Sequence, residues 1–193
     1  MMKRGIAPLT VAAAAFALST AAFAQSATQS QTPAQMTPAP KSSSTLSHAD
    51  SSFLKDAAEA GLAEVQEGQL AESNAKDAQV KSFGEQMVTD HTKANDQLKA
   101  LAQSKNVDVP TEPSMMQRAS VKHLASAKDA AFDKRYASDA VSDHQKVVKL
   151  FQKEASQGHD PDVKAFAQQM LPALQHHLAM ARDLQKTVSA SNS

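Results

Sequence analysis

The chain contains no cysteine and no tryptophan. The first absence excludes disulfides, thiolate-bound zinc, iron–sulfur clusters, covalent c-type haem attachment and a lipidated N-terminal cysteine. Glycine is scarce, five in 193 residues, and Gly61, Gly68, Gly84 and Gly158 lie too far apart to form a phosphate-cradling loop. Aromatic residues make up only 4%, and 20 Lys+Arg balance 20 Asp+Glu. With neither stacking platforms nor a basic surface, nucleic acid is not an expected partner.

What is present begins with an export signal. Lys3 and Arg4 precede an Ala-rich apolar run from Ile6 to Leu18, and Ala22-Phe23-Ala24 supplies a small-x-small cleavage pattern. Residues 1–24 therefore read as a cleaved signal peptide, leaving Gln25 as the mature N-terminus. The apolar run is too short for a stable membrane span, so no transmembrane segment is expected after cleavage. Residues 25–46 are rich in Ser, Thr, Gln and Pro and cannot bury enough apolar surface to offset chain entropy. They read as a disordered spacer. The expected location is the periplasm, with secretion beyond the cell as the alternative.

Residues 47–189 read as helix almost throughout, with a short disordered tail at 190–193. Strand alternation is missing, and Ala, Gln, Lys, Glu and Leu are in excess. A first helix starts at Ser47, with Asp50 in a capping-box position. A second follows a turn near Asn74–Asp77. Asn106–Pro113 reads as loop, and a short helix spans about Ser114 to Ala125. A third long helix ends at Gly158, expected as a left-handed cap. Asp160-Pro161 opens the fourth as N-cap and N1 proline, and Pro172 is expected to kink it. The segment Val80–Val88 matches Val163–Leu171 at five of nine positions, which suggests two similar helical hairpins. Four helices of this length form a bundle with one core, and the segment between the second and third is long enough to run back along it. The helical glycines Gly61, Gly68 and Gly84 suggest close helix approach. The methionines, Met115 and Met116 included, are expected to pack.

Several short groups carry a family resemblance: Glu64-Val65 followed by Gly68, Asp90-His91, Phe132-Asp133 with Tyr136, Asp143-His144, and Leu171-Pro172 followed by His177-Leu178. Together they resemble the exported bacterial domain-of-unknown-function family 4142, over about residues 48–188. The resemblance implies a ferritin-like four-helix bundle in the cell envelope and brings no established reaction.

The residues that interrupt the apolar stripes carry the chemistry. Each long helix contributes one near its middle: Glu64, His91, His144 and His177. Mid-helix placement puts them at similar depth however the bundle is threaded. Three imidazoles and a carboxylate suit one divalent ion such as Zn, Cu, Fe or Mn, with Asp90 and Asp143 as outer partners that fix ring tautomers. The same residues also fit a hydrogen-bonded polar layer that sets helix register and binds nothing. Di-iron chemistry is not expected, because Glu-x-x-His is absent: Val88, Val141 and Leu174 stand three residues before the histidines. No serine sits on a glycine-flanked nucleophile turn. The sequence thus points to a non-enzymatic binding or interaction module with an unidentified envelope partner, or to a metal- or small-ligand-binding bundle.

Overall fold

The computed structural model describes residues 46–190, which fall within the second of two units, residues 43–193. The expected signal peptide, nearly all of the expected spacer and residues 191–193 lie outside the described residues. Among the described residues five helices follow one another: α1 (His48–Asn74), α2 (Ala78–Ser104), α3 (Met115–Ala125), α4 (Asp129–Gln157) and α5 (Pro161–Ala190). The fold is all-α, a four-helix bundle of the ferritin-like type with α3 added in the crossover.

Local chemistry sets most of the boundaries. The Ser47 hydroxyl accepts from the Asp50 N–H and starts α1, and Asp77 accepts from Gln79 and Val80 to start α2. Ser114 and Gln117 form a reciprocal capping box at α3. Asp160 caps α5 through the N–H groups of Asp162 and Val163, with Pro161 in the first turn, where a missing N–H costs nothing. α5 continues through Pro172 to Ala190.

Two expectations about helix ends and methionines are corrected. Gly158 has φ −56° and ψ 143°, so it is not left-handed. Its lack of a side chain matters because a Cβ would meet the Glu154 carboxyl and main-chain carbonyl. The left-handed cap belongs instead to Asn106, at φ 56°. There the Val107 N–H reaches Ala102 O and the Asn106 N–H reaches Gln103 O, closing α2 as a Schellman motif does. Met115 and Met116 are exposed, at 78% and 85%. They occupy the first turn of α3, a helix that buries only Leu124.

α1 packs mainly on α2 and α4 on α5, and the two hairpins meet through α1–α4 and α2–α5. The apolar core comes in two parts. One holds Phe53, Leu54, Leu98, Phe151 and Phe166; the other holds Val80, Phe83, Met87, Phe132, Tyr136 and Leu184. Each long helix therefore runs from one part to the other and crosses a waist between them. Because α2 ends beside the first part and α4 begins beside the second, the α2–α4 connection returns along the bundle. Gly68 and Gly84 face each other across α1 and α2, where a Cβ on either would lie 2.9 Å from the other's carbonyl oxygen. No described helix is long and apolar enough to cross a membrane.

Candidate metal centre

His91, His144 and His177 meet at the waist. Each stands near the middle of its helix on the face that carries the apolar stripe, so folding the stripe inward brings all three rings to one level. Their ring centroids are 5.5 Å apart in all three pairings. They are 5%, 0% and 4% exposed, and one nitrogen from each lies within 4.8 Å of the others. Ligand nitrogens about 2.0–2.1 Å from a single ion stand roughly 3.5 Å apart, so closing on an ion asks each ring to move by about an ångström or less.

The outer partners decide which nitrogen faces inward. His144 Nδ1 lies 3.0 Å from the Ala140 carbonyl oxygen. A carbonyl only accepts, so Nδ1 carries the proton and Nε2 keeps a lone pair. His177 Nε2 lies 3.0 Å from Asp90 Oδ2, which places its proton there and its lone pair on Nδ1. Both lone pairs are buried without a hydrogen-bond partner, and so is His91 Nε2. Burial, reinforced for His91 and His177 by neighbouring rings, holds all three imidazoles below the ordinary pKa of 6.5. They are neutral at pH 7.

The other sequence-derived candidates occupy different places. Glu64 Oε1 lies 3.3 Å from His144 Nδ1, behind that ring and away from the inward nitrogens. Three of the four stripe residues thus converge, and the Glu64 Oε1 beside His144 is buried without a hydrogen-bond partner. Burial, with the Asp143 charge adding to it, pushes Glu64 up to about 8. Asp90 stands behind His177, while the hydrogen bond of Asp143 is with Lys146 Nζ, at 2.7 Å. Asp143 acts on His144 only through its charge, which opposes the effect of burial.

Glu67 is a buried acid that the stripe did not reveal. It lies one residue from Gly68 on the α1 face that turns toward α4, and burial followed by the Glu64 charge pushes it up to about 9. Its spacing of three residues from Glu64 was the available signal. Two further buried acids act across the bundle. Asp50 accepts from the N–H groups of His159 and Asp160, at 3.0 Å each. Asp133 accepts from those of Lys76 and Asp77, at 3.1 and 3.0 Å. A cavity of about 250 Å³ borders the centre, lined by His91 and His177 among others.

Solved structures with this fold are found at low sequence identity. A DUF305 protein from Streptomyces coelicolor, described as secreted, is 14% identical with a TM-score of 0.63, covering 73% of this chain and 92% of its own. A DUF305 fragment from Deinococcus radiodurans is 12% identical with a TM-score of 0.64, covering 76% and 99%. CopM in its Cu(II)-bound form is 14% identical with a TM-score of 0.61, covering 72% and 96%. Its Cu(I)-bound form is similar, at 13% and 0.60, with the same coverage. These likenesses establish the fold. No curated protein matches the sequence. The model of one family, the domain of unknown function DUF4142, matches residues 35–184, most of the length of the chain, and the protein belongs to that family.

Proposed function

We propose that this protein is an exported metal-binding bundle that holds one transition-metal ion on His91, His144 and His177. The reading is carried by the three buried ring nitrogens that face one another without partners. A polar layer that merely set helix register would be satisfied internally, since each unpaired buried group costs about 1–3 kcal/mol. Here the tautomers of His144 and His177 point lone pairs at each other, and lone pairs cannot hydrogen-bond together. A cation accepts all three at once. Asp90 behind His177 and the Ala140 carbonyl behind His144 are outer partners of the kind that fix ligating imidazoles.

Copper is the ion favoured. Imidazole ligands suit it, Cu(II) stands highest among divalent first-row ions, and CopM, which shares the fold, is known in copper-bound forms. The leader at residues 1–24 supports a location outside the cytoplasm, in the periplasm or beyond.

The test is to dialyse the untagged protein with Cu(II), Zn(II) or Mn(II) and measure bound metal and melting temperature. One equivalent of copper and a stabilisation of roughly 3–4 kcal/mol at a hundred- to thousandfold excess over Kd are expected, abolished by His144→Ala. Asp90→Ala should keep the stoichiometry and weaken affinity about 10–100-fold. No stoichiometric metal, and no melting shift with any of the ions, overturns the reading.

A further inference from the structure

The cavity beside the centre has a defined relation to it. Asp50 and Asp133 play equivalent roles 83 positions apart, as do Asp77 and Asp160. Carried over at that spacing, His144 corresponds to Gly61, His177 to Ala94 and His91 to Leu174. All three counterparts line the cavity of about 250 Å³. One half of the waist therefore carries the histidines, and the other carries a glycine, an alanine and a leucine where a second set of rings would stand. At Gly61 the Asn95 amide takes the room a side chain would need, and the cavity lies beside it along Ala94 and Leu174.

Its chemistry is graded. Phe151, Phe166 and Leu174 supply apolar wall; His91 and His177 stand at the other end with Glu64 and Asp90, and Lys93 brings a positive charge to the lining. Both histidine rings are more than nine-tenths buried, and each has a partnerless nitrogen, Nε2 on His91 and Nδ1 on His177. His144 is fully buried and stands outside the cavity lining. An ion held on three nitrogens keeps a coordination position free, and the cavity adjoins two of the three rings, those of His91 and His177. Imidazole ligands bring a buried dication no negative charge in its own coordination shell, where an uncompensated charge is costly.

We infer that the cavity admits an exogenous fourth ligand to the metal, a small organic anion with an apolar body such as a short-chain carboxylate. This inference rests on the metal-binding reading above. The carboxylate oxygen completes the coordination, and the hydrocarbon part lies against the Phe151 and Phe166 side of the cavity.

Cu(II)-loaded full-length mature protein, untagged, distinguishes the two. Its visible ligand-field band and paramagnetic resonance are followed during titration with acetate and with butyrate. A saturable one-to-one change is expected for both, with butyrate binding roughly tenfold more tightly, because two more methylenes are buried. Ala94→Phe fills the cavity from α2 and should bind copper in the same amount while losing the spectral change. Ala173→Phe fills it from α5 and provides the same reading if the first variant folds poorly. Copper that loads but ignores both anions, or binds acetate and butyrate equally, overturns the inference and leaves the metal centre standing. So does a spectral change that persists in both filled variants. Failure to load copper overturns both readings.

Discussion

At one end of the bundle Asp50 of α1 caps the turn between α4 and α5, and at the other Asp133 of α4 caps the turn between α1 and α2. Each hairpin is thus closed by a carboxylate from the other, which ties the halves together where helices usually fray. The surroundings differ. Glu154 is buried against Asp50 and shares a hydrogen bond with it, whereas the residue 83 positions before Glu154 is the apolar Ala71. Against burial, which favours the neutral form, the N–H groups of His159 and Asp160 hold the Asp50 carboxyl below its ordinary pKa. Burial and the Asp50 charge push Glu154 up to about 7. Equivalent geometry therefore produces one cap coupled to a proton and one without that neighbour.

The largest effect should come from removing the caps themselves. Asp133→Ala leaves two backbone N–H groups without their charged acceptor, and hydrogen bonds to charged groups contribute about 1.5–3 kcal/mol each. A loss of roughly 3 kcal/mol or more is expected in urea unfolding at pH 7. Asp50→Ala should cost less at that pH, since it also relieves the repulsion on Glu154. Equal losses for the two variants at every pH would erase the distinction between the ends.

The hairpins also differ in how closely their helices approach. Gly68 and Gly84 meet in the first, and Phe151 and Ala167 hold the corresponding positions in the second. Gly84→Ala places a Cβ 2.6 Å from that of Ala71 and should cost about 1–3 kcal/mol through overpacking, despite its better helix propensity. A neutral or stabilising result in thermal unfolding would mean that α1 and α2 separate freely.

Glu154→Gln sharpens the comparison through pH. From the ordinary value of 4.5 up to about 7, the folded chain keeps a proton that the unfolded chain has released. This group's contribution is therefore fully present below pH 4.5 and falls as pH rises to about 7. The difference in stability between wild type and variant should change across that window and level off above it. Amide exchange should assign the change to the α4–α5 turn, with the α1–α2 turn unaffected.

The smallest effect belongs to Lys105, whose ammonium bridges Asp160 and Asp162 at 2.8 and 2.6 Å. Lys105→Met should cost no more than about 1 kcal/mol, and less in high salt, because the Asp162 carboxylate is largely exposed. A loss comparable with that of the caps would make this ion pair a principal tie at its end.

The histidine cluster was legible in the sequence as far as periodicity reaches. His91, His144 and His177 break apolar stripes at mid-helix, and a helix that buries its stripe must bring them inward. Glu64 obeyed the same rule but lies behind His144, because a stripe defines a face and not the side of a neighbouring ring. Asp50 was legible as a local cap at Ser47, while its bonds to residues 159 and 160 depend on contacts more than 100 positions away. Gly158 matched the pattern of a left-handed cap, yet crowding by Glu154 is what calls for a glycine there.

Local rules in the sequence determined the helices, their starts at Ser47, Asp77, Ser114 and Asp160, and the all-α bundle, since capping and periodicity act within a few residues. The absence of cysteine is consistent with a long apolar core needing no covalent staple. Tertiary structure decided the crossed caps, the tautomers of His144 and His177, the meeting of three partnerless ring nitrogens and the cavity at Gly61, Ala94 and Leu174. Each of these depends on how separate helices are set against one another, which no single stretch of sequence encodes.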